Sequence, residues 1–289
     1  MKKYLLPNEG TFYKANLHCH SNMSDGHWTP EQIKEEYKKE GYSIVAYTDH
    51  DLFISRNHLT DSTFLALNGF EIEINDDNPI WQKVVCNHMC MIAKRDDIEI
   101  MPCYHRSKYL FGNAPKYRHL IKYDESKKDF ERNHSIECIN EVIKECKEGG
   151  FFVTYNHPNW SLEDLNLYTK LEGLDAMEIY NTSASIIGFL DVNEKDYEHM
   201  VKSGKYISCI GADDNHNFAD RDEKPGFFDS FKSWTCIKAK ELKYDSEKMK
   251  EDKILYKLYN ILFYYTIKKE TEKISFFKIH FHHVIFLFL

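Results

Sequence analysis

Two histidines stand one residue apart near the start of the chain, in the stretch "NLHCHSNMSDG" at 16–26. The residues before them, "TFYKANL", roughly alternate apolar and polar side chains, which is typical of a half-buried β-strand. Side chains two residues apart on a strand point to the same side, so we expect His18 and His20 to project together and Cys19 to point away. Two imidazoles held in parallel suit a divalent metal ion such as zinc, manganese or iron. The alternative is a chance pair of histidines on a solvated strand.

Further side chains that can bind metals accompany short apolar segments along the chain. Asp25 lies in the polar loop "SNMSDG", and "SIVAY" is closely followed by "TDHD". His50 lies in "TDHD", and four more strand-like segments lead to the remaining candidates, which are Glu71, His88, His157, Asp213, Asp214 and His216. In a barrel of parallel strands, the carboxyl ends of all strands meet at one rim, so we predict that these residues converge there. A flat doubly wound sheet is the alternative, but it focuses ligands at a single crevice, where so many contributing strands are harder to arrange.

Helical patterns separate several of these strands. The stretch "TPEQIKEEYKKEG" begins with a capping threonine and a proline and ends at a glycine, which are the usual boundaries of a helix. A second helical stretch, "NHSIECINEVIKECKEGG", ends at two glycines. The alternation of strands and helices predicts an α/β fold built on a parallel sheet.

Composition narrows the classes of function. The chain has 289 residues and a formal net charge of -8, and its acidic excess lies in residues 1–221. An acidic body does not resemble a broad nucleic-acid surface, whereas it suits a protein that gathers cations. A substrate phosphate would then be held by metals rather than by a basic face.

The cysteines and the apolar segments indicate the compartment. None of the eight cysteines forms a CxxC pair, so we expect free thiols and a cytoplasmic protein. The apolar stretches 253–266 and 279–289 are too short, or too interrupted by lysine and histidine, to cross a bilayer. We therefore expect no membrane partner, and no protein partner is identifiable.

Two segments depart from the alternating pattern. Residues 93–130 are long, polar and aromatic, and we interpret them as an insertion or lid over the rim of the 1–245 barrel; a solvated excursion is the alternative. Residues 246–289 form an atypical tail rich in lysine and aromatic residues.

Taken in order, the motifs are HxH, SDG, TDHD, GxE, a lone histidine, NHP and DxH. This order resembles the polymerase-and-histidinol-phosphatase (PHP) family of metal-dependent phosphoesterases, over about residues 11–245. The resemblance implies a distorted (β/α)7 barrel with two or three divalent metal ions (Zn, Mn or Fe) at its C-terminal rim.

The resemblance also implies how the ligands divide among three metal sites. One site would comprise His18, His20, Glu71 and Asp214. A second would share Glu71 and add His88 and His157, and the third would comprise Asp25, His50 and His216. Many relatives read GxDxH at the last motif, whereas this chain reads "GADDNH", so either Asp213 or Asp214 could be the ligand. Spacing to His216 in an extended segment favours Asp214.

Other residues are candidates for supporting roles. We expect His50, Glu71 and Asp214 to be catalytic. Arg56, which follows "TDHD", is a candidate phosphate contact, and Asn181 is a candidate substrate contact together with Asn156 and Trp160. Asp49 and Asp51 could orient the ring of His50, or they could be solvated loop acids.

These observations predict a metal-dependent hydrolase that attacks a phosphate ester with metal-activated water. The expected substrate is a small phosphorylated metabolite or nucleotide, such as a nucleoside bisphosphate. A 5′-to-3′ exonuclease acting on 5′-phosphorylated RNA or DNA ends is the second hypothesis, and a histidinol-phosphatase-like enzyme is the third. A metal-stabilised module without turnover is a further alternative, against which the filling of all nine ligand positions argues.

Overall fold

A computed structural model describes residues 10–78, 80, 83–189 and 191–244, and three short backbone segments nearer the C-terminus. The strands are β1 (Thr11–Asn16), β2 (Ile44–Tyr47), β3 (Leu65–Asn75), β4 (Cys86–Ala93), β5 (Phe151–Tyr155), β6 (Ala176–Asn181), β7 (Ser208–Ala212), β8 (Ser233–Ala239), β9 (Tyr264–Ile267), β10 (His280–Phe281) and β11 (Val284–Ile285). The α-helices are α1 (Pro30–Lys39), α2 (Ile136–Glu148), α3 (Leu165–Tyr168), α4 (Thr182–Ala184) and α5 (Glu194–Lys202).

Strands β1 to β8 form a nearly closed barrel. In the sheet the order is β7-β6-β5-β4-β3-β2-β1-β8-β9, so β7 and β8 are separated along the sheet by all the others. They nevertheless meet, because the Thr235 hydroxyl on β8 accepts from the Gly211 N–H at 3.2 Å and donates to the Gly211 carbonyl at 3.0 Å. The predicted α/β barrel is confirmed, and the flat doubly wound alternative is not what the chain adopts.

The barrel differs from an all-parallel arrangement at two strands. β4 runs antiparallel to both β3 and β5, and β8 runs antiparallel to β1. The link between β3 and β4 is only 76–85, which is too short for the helical crossover that parallel strands need. β8 also raises the number of barrel strands to eight, where the sequence resemblance implied seven.

Apolar side chains from all eight strands fill the barrel interior. The cluster comprises Ala15, Leu17, Ile44, Ala46, Leu65, Cys90, Ile92, Phe152, Ala176, Ile210 and Ile237. A second layer lies outside the barrel, where the helices pack against the strands. Helix α1 buries Ile33 and Tyr37 there, and its N-terminus is fixed by a reciprocal capping box between Thr29 and Gln32, as the sequence predicts.

The segment 93–130 contacts the barrel rim. It has little regular structure apart from a 3₁₀ turn at Ala114–Leu120. The Asn113 N–H donates to the Ser24 carbonyl at 2.6 Å, and the Asn113 side-chain amide donates to the Asn22 carbonyl at 3.1 Å. The segment is therefore attached to the loop that carries Asp25.

The predicted tail, 246–289, lies outside the described residues except for its three short strands. β9 pairs antiparallel with β8, and β10 pairs with β11. The eight cysteines are all free thiols, as expected. Within the described part of the chain, no helix has both the length and the apolar character needed to cross a membrane.

Candidate metal centre

The segments after β1 and β7 lie side by side at the rim. The His20 N–H donates to the Asn215 carbonyl at 3.1 Å, and the Asp214 N–H donates to the His18 carbonyl at 3.0 Å. Cys19 is fully buried among apolar side chains of the α1 layer. The two histidine rings therefore point together toward Asp214, with Cys19 on the opposite side, as their spacing predicts.

Four side chains surround one point at this rim, and their facing atoms are close together. His18 Nε2 and His20 Nε2 are 3.0 Å apart. Asp214 Oδ1 lies 3.1 Å from the His18 nitrogen and 3.0 Å from the His20 nitrogen. The Glu71 carboxylate, at the centre of β3, lies 3.1 and 3.2 Å from the same two nitrogens.

These separations suit a shared metal ion. Metal–ligand bonds of about 2.0–2.2 Å place neighbouring ligand atoms roughly 3.0–3.5 Å apart, which is the spacing seen among the four side chains. All four are buried, with Asp214 the most exposed at 10% of its side chain.

A second group of ligands meets on the other side of Glu71. His88 Nδ1 lies 3.1 Å from Glu71 Oε1, and His157 Nε2 lies 3.4 Å from the same oxygen. His88 is the third residue of β4. Because β4 runs antiparallel, its N-terminal end lies beside the C-terminal ends of its neighbours, and this places His88 at the shared rim.

The third group lies nearest to solvent. Asp25 Oδ2 is 3.3 Å from His216 Nε2 and 3.7 Å from His50 Nε2. His20 Nδ1 also approaches Asp25, at 3.4 Å. The nine residues that the resemblance implies as ligands are thus brought together, in overlapping groups linked through His18, His20, His50 and Glu71.

Unpartnered polar atoms in the centre support its fit to divalent cations. His50 Nδ1 and His88 Nε2 are buried without a hydrogen-bond partner among the described residues. Asp214 Oδ1 has imidazole nitrogens at 3.0 and 3.1 Å, but neither contact has the geometry of a hydrogen bond. Buried polar atoms are seldom left unpaired, so each such atom calls for a ligand. Imidazole and carboxylate donors suit zinc, manganese and iron alike.

The electrostatics of the centre are dominated by these contacts. Burial opposes the charged form of His18, yet Asp214, Glu71 and Glu178 raise its pKa well above the ordinary value. Burial acts in the same direction on His20, whose pKa is raised chiefly by Asp25. Burial alone would raise the pKa of Glu71, but the surrounding histidines hold it well below the usual range. These contacts therefore favour the charged forms of His18, His20 and Glu71.

The choice between the two adjacent aspartates follows from their contacts. Asp213 accepts hydrogen bonds from the Tyr37 hydroxyl at 2.9 Å, the Thr182 hydroxyl at 3.0 Å and backbone N–H groups that begin β8. Burial raises the pKa of Asp213 to about 6. Asp214 instead faces the histidines. Its φ of 53° is left-handed, so the extended geometry assumed from the spacing to His216 does not hold at this residue.

Glu178 on β6 is part of the centre and was missed from the sequence. Its Oε1 lies 2.8 Å from His18 Nδ1, which leaves His18 Nε2 facing the metal position. Its Oε2 accepts from the His157 N–H at 3.1 Å and from the Asn181 amide at 3.0 Å. The available signal was a lone acidic residue inside the largely apolar strand "AMEIYN".

The proposed substrate contacts have structural partners of their own. The Asn181 amide also donates to Asp214 Oδ2 at 3.1 Å, and Asn156 donates to Glu71 Oε1 at 3.1 Å. Arg56 is buried and pairs with Asp49 at 3.0 Å. Its role as a phosphate contact stays a prediction, and in this structure its guanidinium holds the loop instead.

The two acids beside His50 also have other partners. Asp49 accepts from the hydroxyl of Ser21 at 2.8 Å, which fixes the loop after His20. Asp51 forms a buried ion pair with Arg132 at 2.5 Å. Within the described residues, neither acid forms a hydrogen bond with the His50 ring, so the contacts do not support the expected orienting role.

No protein-family model and no curated protein matches this chain. Among solved structures, it is similar to a two-domain protein from Bacteroides vulgatus that contains a PHP-like metal-dependent phosphoesterase. The identity is 17% and the TM-score 0.49, over 88% of this chain and 65% of the other. This chain therefore spans less than two thirds of that protein.

Two further solved structures are similar at the same low level of identity. A metal-dependent phosphoesterase from Bifidobacterium adolescentis is 17% identical with a TM-score of 0.46, over 73% of this chain and 89% of the other. An amidohydrolase from Chromobacterium violaceum is 16% identical with a TM-score of 0.45, over 70% and 87%. Proteins described as metal-dependent phosphoesterases, one of them PHP-like, are thus among the solved structures that resemble this chain.

Proposed function

We propose that this chain is a PHP-type metal-dependent phosphoesterase that hydrolyses a phosphate ester of a small metabolite or nucleotide. The observation that carries the proposal is the convergence of nine imidazole and carboxylate side chains from distant parts of the sequence into overlapping groups, two of which contain Glu71. Such a centre suits two or three divalent cations better than one.

The charge of the site favours an anionic substrate only when metals are bound. Within the described residues, no lysine or arginine pairs with Asp25, Glu71 or Asp214. Bound divalent ions would neutralise the phosphate and lower the pKa of a bound water from about 15.7 toward ~7. The phosphate is therefore held by the metals in this proposal, rather than by basic side chains.

The protein's own residues set the geometry of this reaction. Glu178 and Asn181 fix the directions of His18 and Asp214, and Asn156 fixes one oxygen of Glu71. Asp25 and His216 have side-chain exposures of 16% and 13%, against 1% or less for His18 and Glu71. The substrate phosphate would accordingly enter from the side of Asp25 and His216.

The test removes ligands singly from the metal-loaded protein. His50→Ala and Glu71→Ala should abolish phosphate release while circular dichroism shows a folded chain, because both residues lie in the centre. His58→Ala is the matched control, since His58 is 62% exposed and forms an ion pair with Glu31 on the surface. Turnover retained in both Ala variants of the centre would contradict the assignment of the site.

A substrate panel separates the remaining hypotheses. We expect hydrolysis of nucleoside bisphosphates or other small esters to exceed that of 5′-phosphorylated oligonucleotides and of histidinol phosphate. Preference for the oligonucleotides would favour the exonuclease, and preference for histidinol phosphate would favour the third hypothesis. Tight metal binding without turnover of any ester would identify a non-catalytic module.

We also propose a cytoplasmic location, which the eight free thiols support.

A further inference from the structure

Four aromatic side chains border the opening of the metal centre, and we call them the aromatic rim: Phe111, Trp160, Phe189 and Phe218. The Phe111 ring lies 5.7 Å from the His50 ring, and the Phe218 ring stacks on His216 at 5.1 Å. The Trp160 ring lies edge-on to His88 at 5.2 Å and to His157 at 5.1 Å. The centre of the Phe189 ring lies 6.4 Å from that of the Trp160 ring.

Three of these rings are largely exposed. The exposed fractions are 54% for Phe111, 44% for Phe189 and 62% for Phe218. A single exposed apolar side chain is ordinary, but a group of them around one opening is typical of a ligand-binding surface. The exposed rings do not fill the core, so the stability of the fold does not account for them.

The backbone around Trp160 and Phe189 is held in place. The Trp160 N–H donates to Asp191 Oδ2 at 2.9 Å, and the Asp191 carbonyl accepts from the Asn181 N–H at 3.2 Å. Asp191 is itself fully buried. The loop after β5 and the segment after β6 are thus joined, which brings the two aromatic rings together before any ligand arrives.

We propose that the aromatic rim binds a planar, uncharged aromatic ring carried by the substrate ester, with Trp160 and Phe189 as its main contact surface. The inference rests on the proposed function, because it takes the phosphate to lie at the metal centre. A group joined to that phosphate through one ester bond would lie against side chains that touch the metal ligands. Aromatic rings favour other rings in stacked or edge-on contact. None of the four rim residues is charged, so these side chains offer no ion pair to the ring and favour an uncharged one.

The experiment measures binding of two phosphonates that the enzyme cannot hydrolyse. The manganese-loaded protein is titrated calorimetrically with methylphosphonate and with 2-naphthylphosphonate, which differ in the ring and share the phosphonate group. We expect the wild type to bind the naphthyl compound about tenfold more tightly, in line with ring stacking. Phe189→Ala should lose most of this preference while its methylphosphonate binding stays unchanged, and Trp160→Ala should lose most of the preference as well. Tyr206→Ala is the matched control, because Tyr206 is 82% exposed and precedes β7, at the opposite end of the barrel from the rim.

The outcomes separate this inference from the proposed function. If neither phosphonate binds the loaded protein, the phosphate site itself is wrong. If both bind equally, or if the preference survives in both variants, the aromatic rim is overturned and the phosphoesterase proposal stands. Trp160 touches two histidines of the centre, so weaker methylphosphonate binding by Trp160→Ala would mean disturbed ligands. The Phe189 ring contacts Trp160. The result for Phe189→Ala then decides whether the aromatic rim binds the ring of the substrate.

Discussion

Glu178, a buried residue of β6, contacts three residues of the metal centre. One oxygen faces the His18 ring, and the other accepts from the His157 backbone and the Asn181 side chain. A carboxylate can accept on both oxygens at once, whereas a glutamine offers one carbonyl and one NH2 group. The charge and symmetry of Glu178 therefore determine how His18 presents Nε2.

Glu178→Gln should weaken divalent metal binding about 10- to 100-fold, as is usual when a partner of a metal-bound histidine is replaced. Titration calorimetry with Mn²⁺ or Zn²⁺ measures the change, and nitrogen-15 spectra of His18 report its tautomer. Glu172→Gln is the control, since Glu172 is an exposed glutamate outside the centre. Unchanged affinity together with an unchanged tautomer would show that Glu178 does not position His18.

Metal binding should be coupled to proton release. In the metal-free protein, burial lowers the pKa of His18 and His20, but the neighbouring carboxylates outweigh it and raise both above the ordinary value. The same holds for His88, through Glu71. A ring with a raised pKa keeps its proton to higher pH and must lose that proton to bind a metal. Affinity should consequently rise with pH and fall on acidification.

Calorimetry in two buffers with different ionisation enthalpies measures this release directly. The expected result is a net release of protons at neutral pH and weaker binding at lower pH. Binding that is independent of both pH and buffer would mean that the rings are already neutral in the metal-free protein.

At the level of residues, much of the centre is predictable because spacing on an extended chain determines direction. His18 and His20 project together for that reason. Glu178 was missed because the strand around it reads as uniformly buried, and its partner His18 is 160 residues away. For Asp214, the prediction rested on an assumption that does not hold. Asp214 faces the histidines, as the spacing to His216 suggested, but its backbone is left-handed and not extended.

The contact between segment 93–130 and the Asp25 loop depends on one glycine. Gly112 has a φ of 59°, and a Cβ there would lie 2.3 Å from the Ser24 carbonyl oxygen. Gly112→Ala should therefore strain or displace the segment and lower the free energy of unfolding by about 1–3 kcal/mol. Urea unfolding followed by circular dichroism gives the value.

Gly226→Ala provides the comparison for this variant. Gly226 has open space around it, with no atom within 4 Å of an added Cβ. We expect its unfolding midpoint to match the wild type. If the two alanine variants unfold alike, the packing of Gly112 on Ser24 contributes nothing measurable.

Strand direction marks the limit of prediction at the level of elements. The sequence of β4 identifies a buried strand and its histidine, but its own pattern does not encode whether it runs parallel or antiparallel. That direction follows from the short link 76–85 and from pairing with β3 and β5, which are relations between segments. The barrel class could be predicted from the sequence because it depends on the number and order of the strands. The antiparallel pairings could not be predicted in this way.

For the whole molecule, metal loading should stabilise the fold. Ligands from β3, β4 and the loops after β1, β2, β5 and β7 meet at one rim, so a bound ion links distant parts of the chain. A free metal concentration of 100 times the dissociation constant adds about 2.7 kcal/mol to the folded state. For a domain of this size that corresponds to a rise of roughly 5–10 °C in Tm.

Differential scanning calorimetry of chelator-treated and manganese-loaded protein tests this expectation. Magnesium chloride at the same ionic strength controls for salt, because magnesium prefers oxygen ligands and keeps its waters. Equal Tm values for the chelated and manganese-loaded protein would contradict a metal centre that spans the barrel.

Glu71 approaches histidines of every group in the centre, with its two oxygens between 3.1 and 3.4 Å from His18, His20, His50, His88 and His157. A single carboxylate common to neighbouring binding positions makes their occupancies interdependent. If one bound ion changes the binding free energy of its neighbour, the neighbour changes the binding free energy of the first ion by the same amount, because such coupling is reciprocal. The positions would then fill cooperatively, and the concentration of one metal could determine whether the remaining positions are filled.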